Sequence, residues 1–592
     1  MNLKYISYIF ICLGLLTVAY ADPSLAPFNS DFLNYQRTTQ NGTAKKQAIK
    51  NHALGVVPSP IDLSHMKGHN IVEQIKALKS LAEPVQGQST YPAVYDLRTL
   101  GKLTPVKNQG NYNTCWAFAT YDSLESVLLP AQTWNFSDKN VVNLCGYDCG
   151  ESGGGNYWMS TAYLTRWLGP VNESDDPYPG ALWTTSPQGL PVQKHVQEVL
   201  FVPDRSSATD NDNIKEMVTD YGAVMTSMYM DEVVADGYLN ANTTSYYFNG
   251  NGTTSNHDVA IVGWDDNYAN TNFTATPPAN GAFIVKNSWG SAWGDNGYFY
   301  VSYFDSNIGK DMAVFDVAAS TVNYYKIYQY DPLGATANLG YGSDTAWFDN
   351  VFTAGLNEEL KAVGLYTETV NSSYVINVYS GFNGSSFQGL LGTTKGTVSI
   401  AGYHSIQLNP LISLPANHTF CIVVELTTPG YTSPISVESP VQNYSSQATA
   451  SAGQSYISKN GTTWADITVQ YPNTNVCVKA YTVVATGTSP SSSTGTNPEQ
   501  SLLMNLDSAK IFPNPFNPRN GQCTINNLTS DADIKIYTIT GELVRHLVYS
   551  SSSGHATWDG RNDNGTGVAS GVYIVLISNN SGKKVLKIAV QR

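Results

Sequence analysis

A cysteine stands where a helix begins. Residues Cys115 to Leu128 place Phe118, Tyr121, Leu124, Val127 and Leu128 at helical spacing, Pro130 supplies a stop, and an Asn-rich loop precedes them. A thiol at a helix head lies at the positive end of the helix dipole, which favours thiolate, and the backbone N–H of such a residue has no partner inside the helix. The next patterned runs, His257 to Trp264 and Phe283 to Val285, read as short buried strands. Helix and strands therefore have to pack together in one mixed region.

The chain is longer than a single core supports: 592 residues imply about three or four domains. A formal charge of -14 argues against a nucleic-acid partner, which needs a basic surface. Residues 1–21 read as an export signal, with Lys4, an apolar stretch from Ile6 to Val18 and Ala19-Tyr20-Ala21 as a small-x-small site. The apolar run is short for a membrane span and no later segment approaches that length, so the mature chain is expected to start near Asp22 without a transmembrane segment.

Cysteine use is too sparse for a disulfide scaffold. Cys12 leaves with the signal, and if Cys115 is a reactive thiol, five remain. Two disulfides and one unpaired Cys is the plainest accounting, with Cys145 to Cys149 and Cys421 to Cys477 as the expected pairs.

Residues 22–90 form a propeptide or N-terminal extension with one clear helix, where Asn70 and Glu73 make a capping-box pattern ahead of Ile71, Ile75 and Leu78, and Pro84 ends it. From 322 to 484 short alternating strands recur between Gly and Asn turns, as in Ala362 to Tyr366, Val375 to Tyr379 and Phe420 to Leu426, which reads as an antiparallel sandwich. Residues 485–500 are almost wholly Ser, Thr, Gly, Pro and Asn and read as a linker. A small all-β module, 501–592, follows it.

Nucleophilic thiol chemistry needs a thiolate, an imidazole to hold its proton, a group that fixes the imidazole tautomer, and donors for a developing oxyanion. Cys115, His257, Asn287 and Gln109 are candidates for these roles in that order. Taken singly, a buried Cys or His is more often structural, and polar residues such as Asn287 and Gln109 are common on loops. Their joint occurrence in three flanked segments gives them weight.

Those segments are Pro105-Val106-Lys107-Asn108-Gln109-Gly110 leading through Thr114 to Cys115-Trp116-Ala117-Phe118, then Asn256-His257-Asp258-Val259-Ala260, then Lys286-Asn287-Ser288-Trp289-Gly290. Together they resemble the active-site motifs of the papain family of cysteine peptidases, and the interval from Cys115 to His257 falls in the roughly 130 to 150 residues of that signature. Asn287 lies beyond it, with Asp265 to Ala282 resembling an inserted loop. The resemblance implies that Asn287 orients the imidazole, that Trp289 shields their hydrogen bond and borders the substrate, and that Gln109 is the oxyanion donor. It also implies that Gly154 and Gly155, followed by Trp158, form a wall along which an extended substrate pairs as an added strand.

Two departures stand out. Tyr112 and Ser152 occupy the positions of a family disulfide, and the extension lacks the family's long propeptide helix signature, which counts against inhibition by that segment. Region 322–484 resembles the lectin-like domain that follows such peptidases in some secreted microbial proteins. The C-terminal runs Phe512 to Pro518, Ile536 to Glu542, Trp558-Asp559-Gly560 and Ser570 to Tyr573 resemble a type IX sorting domain or a hook-capping immunoglobulin-like domain. The Asx residues from Asp559 to Asn564 read as turn formers, and no metal is assigned.

The expected fold is thus an α+β papain-like peptidase of two subdomains (91–318), followed by a β-sandwich lectin-like domain (322–484) and a small all-β immunoglobulin-like domain. The expected function is a secreted or cell-surface cysteine endopeptidase acting through a Cys115 acyl-enzyme with His257 as base and no cofactor. Its partners would be a protein or peptide substrate and, for the lectin-like domain, a carbohydrate or cell-surface ligand. Two alternatives share the fold: a catalytically silent adhesin, and a transpeptidase using the same residues.

Overall fold

The computed structural model describes residues 22–40, 48–49, 52–80, 91–180, 182–231, 237–252, 254–485 and most of 509–592. The export signal, the part of the extension around Pro84, and nearly all of the 485–500 linker lie outside the described residues. Two compact units result, 1–487 and 488–592.

In the first unit the helix Cys115–Leu128 is a central element, buried from Cys115 through Ser126. Its sequence shows why: it is apolar on nearly every side, and its acids have partners. Glu125 accepts from Lys107 Nζ at 3.0 Å and from Thr104 Oγ1 at 2.6 Å, while Asp122 meets Lys286 Nζ at 2.6 Å. The one-sided stripe read from the sequence is accordingly too narrow, since the helix packs against a sheet and also against the helices Asp138–Leu144 and Tyr157–Thr165. Asn156 caps the latter helix, its Oδ1 accepting from the Trp158 and Met159 amides at 3.0 and 3.3 Å. That cap fixes where Gly154 and Gly155 stand.

Opposite lies a sheet with the strands His195–Val202, Lys310–Ala319, Val224–Met228, His257–Asp265, Ala282–Lys286 and Tyr298–Ser302 in spatial order. The cleft opens where the head of the central helix meets the first residues of the His257–Asp265 strand. Both strands expected from the sequence are present, each a residue or so longer than read.

The sandwich does not hang from the peptidase region by a loop. Its strand Gly402–Leu414 pairs directly with His195–Val202, so that Tyr403 stands opposite Val199 and one sheet runs through both regions. A six-stranded sheet built on Thr345–Thr353, Ser372–Phe382 and Thr419–Thr427 forms the other layer, over a core that includes Phe348, Leu365, Ile376 and Ile422.

The N-terminal extension touches both regions. Ser24–Leu25 adds an antiparallel strand to Ala337–Gly340, Phe32 packs edge-on to Tyr444 at 5.4 Å, and His65 stacks on Tyr431 at 4.4 Å. The expected helix is Val72–Ser80, with the Asn70 Oδ1 accepting from the Val72 amide at 2.9 Å; a second helix, Ser30–Gln40, has no counterpart in the sequence reading.

The two expected disulfides are absent: all six cysteines among the described residues are thiols. Cys145 turns its sulfur back to the Val142 carbonyl at 3.5 Å, and Cys149 points at the Met159 sulfur. Cys421 lies on the face of the six-stranded sheet away from its core, opposite Tyr379 and Val351 in register, whereas Cys477 belongs to a different buried cluster. The second unit is all-β, two small antiparallel sheets closing over Ile525, Ile534, Trp558, Val575 and Ile588.

Candidate active site

The central helix begins at Cys115, with Thr114 as its cap residue held through Tyr178 (2.7 Å). The strand His257–Asp265 starts across from it, and the amide of Asp258 donates to the Cys115 sulfur at 3.4 Å. His257 Nε2 meets Asn287 Oδ1 at 2.9 Å, which fixes the orientation of the ring. Trp289 stacks on the His257 ring at 4.7 Å, covering the pair. Asn287 itself is set by its amide bond to the Gly297 carbonyl (3.0 Å).

Gln109 is wholly buried beside this pair, held by Ser288 at its backbone N–H and at its side-chain oxygen, while its Nε2 also donates to the Tyr112 carbonyl at 2.8 Å. Its backbone N–H donates to the Ser288 carbonyl at 2.7 Å, and its Oε1 accepts from Ser288 Oγ at 2.5 Å, which turns Nε2 toward the cleft. Sequence reading missed Ser288, a residue whose place beside Asn287 was its one visible cue. The structure therefore gathers Cys115, His257, Asn287, Gln109 and Trp289 in one place.

Gly154 and Gly155 lie at the cleft, and a peptide backbone already pairs with Gly155. Residues His52 to Val57 of the extension run through the site: Gly155 N donates to Gly55 O at 2.8 Å, and Val57 N donates to Gly155 O at 2.9 Å, a parallel pairing. Ala53 O accepts from Gln109 Nε2 at 3.0 Å, and the Gly55 amide lies near enough to the Cys115 sulfur to favour its charged form. His52 stacks on Trp289 at 4.3 Å. Space explains the glycine: a Cβ on Gly55 would lie 2.3 Å from Asn113 O, and one on Gly154 would lie 2.3 Å from Gly55 O. The segment lacks the long helices whose absence put classical inhibition in doubt, and a short extended stretch lies in the cleft without them. A lone Gly inside the apolar run Ala53 to Val57 was the signal for close backbone approach.

The segment also reverses the electrostatics expected at the thiol. Burial and the nearby Asp258 carboxyl push the Cys115 thiol well up, against the smaller help of the Asp258, Gly55 and Trp116 amides. With the cleft filled, desolvation outweighs the helix head.

Residues 91–316 match the model of the papain family cysteine protease. They are a papain-family cysteine protease domain. Residues 327–482 match a lectin like domain and 510–591 a secretion system C-terminal sorting domain, so the chain is a secreted or cell-surface protein. Ananain of Ananas comosus is 27% identical over 214 residues, which is 36% of this chain and 55% of that protein. The chain spans between 55% and 65% of the length of ananain and two Arabidopsis thaliana cysteine proteases that it matches. Among solved structures, the cysteine protease and lectin-like domains of Cwp84, a surface layer associated protein of Clostridium difficile, share 27% identity. That likeness covers 78% of this chain and 98% of the other, with a TM-score of 0.64. A second structure of Cwp84, a variant of that clostridial cysteine protease after propeptide cleavage, is 29% identical, covers 66% of this chain and 99% of the other, and has a TM-score of 0.58. The papain-family domain and its lectin-like neighbour are therefore a pairing found elsewhere.

Proposed function

We propose that the papain-family domain hydrolyses peptide bonds and that the chain with its extension seated is the latent form. The observation that carries this reading is the peptide backbone lying in the cleft, with a carbonyl on Gln109 and a main-chain pairing to Gly155. It is bound yet out of register for attack: the carbonyl at Gln109 is that of Ala53, while the main-chain groups acting on the sulfur are the Asp258 and Gly55 N–H, donors and not electrophiles.

With the segment gone, a substrate carbonyl takes the place of Ala53. The Cys115 sulfur, its proton held by His257, adds to the carbonyl carbon, and the oxyanion is met by Gln109 Nε2 and the Cys115 N–H. Collapse of that adduct breaks the C–N bond as the imidazolium gives its proton to the leaving amine. Water then adds to the thioester with His257 as base, releasing the acid and restoring the thiol. Asn287 keeps the ring in place throughout, and Trp289 keeps water from the hydrogen bond between them.

The lectin-like domain would take a carbohydrate or cell-surface ligand. Supporting that reading, Tyr379, Phe382, Phe387, Tyr456 and Trp464 form a chain of partly exposed rings, with successive centroids 4.6 to 5.3 Å apart.

Mass spectrometry after iodoacetamide treatment at mildly acidic pH tests the peptidase reading. Cys115 of the processed chain is expected to take label at least about tenfold faster than in the intact chain, through thiolate paired with imidazolium. Equal, slow labelling of Cys115 in both forms would overturn it.

A further inference from the structure

A cavity of about 500 Å³ lies where the peptidase region and the sandwich share their sheet, and none of the residues lining it belongs to the catalytic cleft. The shared ladder is short: Gly402, Tyr403 and His404 stand opposite Leu200, Val199 and Glu198, and the pairing stops there. Gln197 on the one strand and Ser405 to Gln407 on the other continue past the last pair as walls of the cavity. Two strand edges thus part, and a hollow opens between them. Val317 and Gln407, both lining it, are exposed, so solutes reach it from outside.

His404 is the most informative residue in the wall. It is 4% exposed, and its Nδ1 meets Glu198 Oε1 at 3.0 Å, joining the sandwich to the peptidase region. A carboxylate only accepts, so the proton of the neutral imidazole sits on Nδ1 and the opposite nitrogen presents a lone pair. That nitrogen, Nε2, is buried without a hydrogen-bond partner. Gln197, also 4% exposed, has no partner at either end of its carboxamide. Buried donors and acceptors left unpaired are costly, and here two such side chains border one cavity.

Lys361 borders it too, its ammonium donating to the Asn323 carbonyl at 3.1 Å and lying 5.0 Å from the Tyr324 ring centroid, with further protons to give. Among the lining residues the Lys361 ammonium and the Glu198 carboxylate are of opposite charge and cancel, while Leu200, Ile400 and Ile406 supply aliphatic surface. A fitting occupant is therefore uncharged, donates as well as accepts, and has an apolar side. The volume lies in the range of small-molecule sites. A sugar meets each condition: hydroxyls donate to His404 Nε2 and to Glu198 and accept from Lys361, while the C–H face of the ring rests on the aliphatic side chains.

We infer that this junction binds a neutral mono- or disaccharide. The inference rests on the carbohydrate reading of the lectin-like domain above and gives it a place separate from the chain of rings that includes Trp464. Glu198 and Leu200 come from the peptidase region and Lys361, His404 and Ile406 from the sandwich, so the bound sugar touches both.

The test is isothermal titration calorimetry of the full chain with glucose, galactose, mannose, N-acetylglucosamine, cellobiose, lactose and chitobiose, and with glucuronic acid and glucosamine as charged controls. At least one neutral sugar should bind with a Kd of about 1 mM or below, and both charged sugars at least about tenfold more weakly. His404→Phe keeps a ring without the acceptor, and Lys361→Met keeps the stem without the charge. Each should weaken binding by about tenfold or more, the loss expected of a hydrogen bond that a charged or buried group makes. Trp464→Ala should bind as wild type does. Lys361 is only partly buried, so Lys361→Met decides the matter if circular dichroism shows His404→Phe to be unfolded. Wild-type affinity in the folded cavity variants would overturn the inference, and loss of binding in Trp464→Ala would then leave the carbohydrate reading standing at the rings. Tighter binding of glucuronic acid or glucosamine would overturn the neutral class. Binding of no sugar at all would remove the carbohydrate reading and this site with it.

Discussion

The carbonyl oxygen of Ala53 accepts a hydrogen bond from Gln109 Nε2 at 3.0 Å, in the place where the account puts the oxygen of a substrate under attack. Everything about latency follows from this contact and its neighbour two residues on. A carbonyl fills the oxyanion position, an amide caps the sulfur, and Gly155 is already paired.

Gly55→Val should therefore weaken latency without altering any catalytic group. The added side chain would meet the Asn113 backbone, 2.3 Å from where its Cβ must sit, and the segment would have to lift. Peptide hydrolysis by unprocessed Gly55→Val chain is expected to exceed that of unprocessed wild type by about tenfold or more, since overpacking of this kind costs about 1–3 kcal/mol. Equal basal rates would show that the backbone contact does not hold the segment.

Gln109→Ala should lower kcat of the processed chain by about 100-fold or more with little change in KM, the usual signature of one lost oxyanion donor. Steady-state kinetics on one peptide substrate checks it. A change confined to KM would mean that Gln109 positions the ground state only.

Stability of the intact chain should fall as pH rises. Asp258, Glu368 and Glu438 are each pushed up to about 8, chiefly by burial, so between about pH 4 and 8 the folded chain holds protons that the unfolded chain has released. A state that binds more protons loses ground as they are removed. Melting followed by circular dichroism is expected to give a Tm at pH 8 a few degrees below that at pH 5.5, and a Tm that rises over this interval would contradict the assignment.

Much of the site was legible in the sequence because its chemistry is local to short segments. Cys115 at a helix head, His257 opening a strand and Asn287 ahead of Trp289 are each flanked by residues that specify their backbone. What stayed hidden depends on pairing between distant segments. No local pattern tells that Tyr403 will stand beside Val199 and merge two regions into one sheet, or that Gly55 will lie against Gly154 and Asn113. The disulfide pairs failed for a related reason: counting cysteines ignores that Cys421 and Cys477 sit in different layers. The low thiol pKa expected of Cys115 neglected a cover contributed by residues some sixty positions upstream.

Peptide hydrolysis by the processed full chain, with Cys115→Ala measured beside wild type, tests the central claim most directly. The substitution is small and leaves the helix head in place, so folding should be retained, as circular dichroism would show. The account predicts that the Cys115→Ala chain loses kcat by about 10⁴-fold or more, as removal of a covalent nucleophile does. Hydrolysis by a folded Cys115→Ala chain at or near the wild-type rate would contradict it.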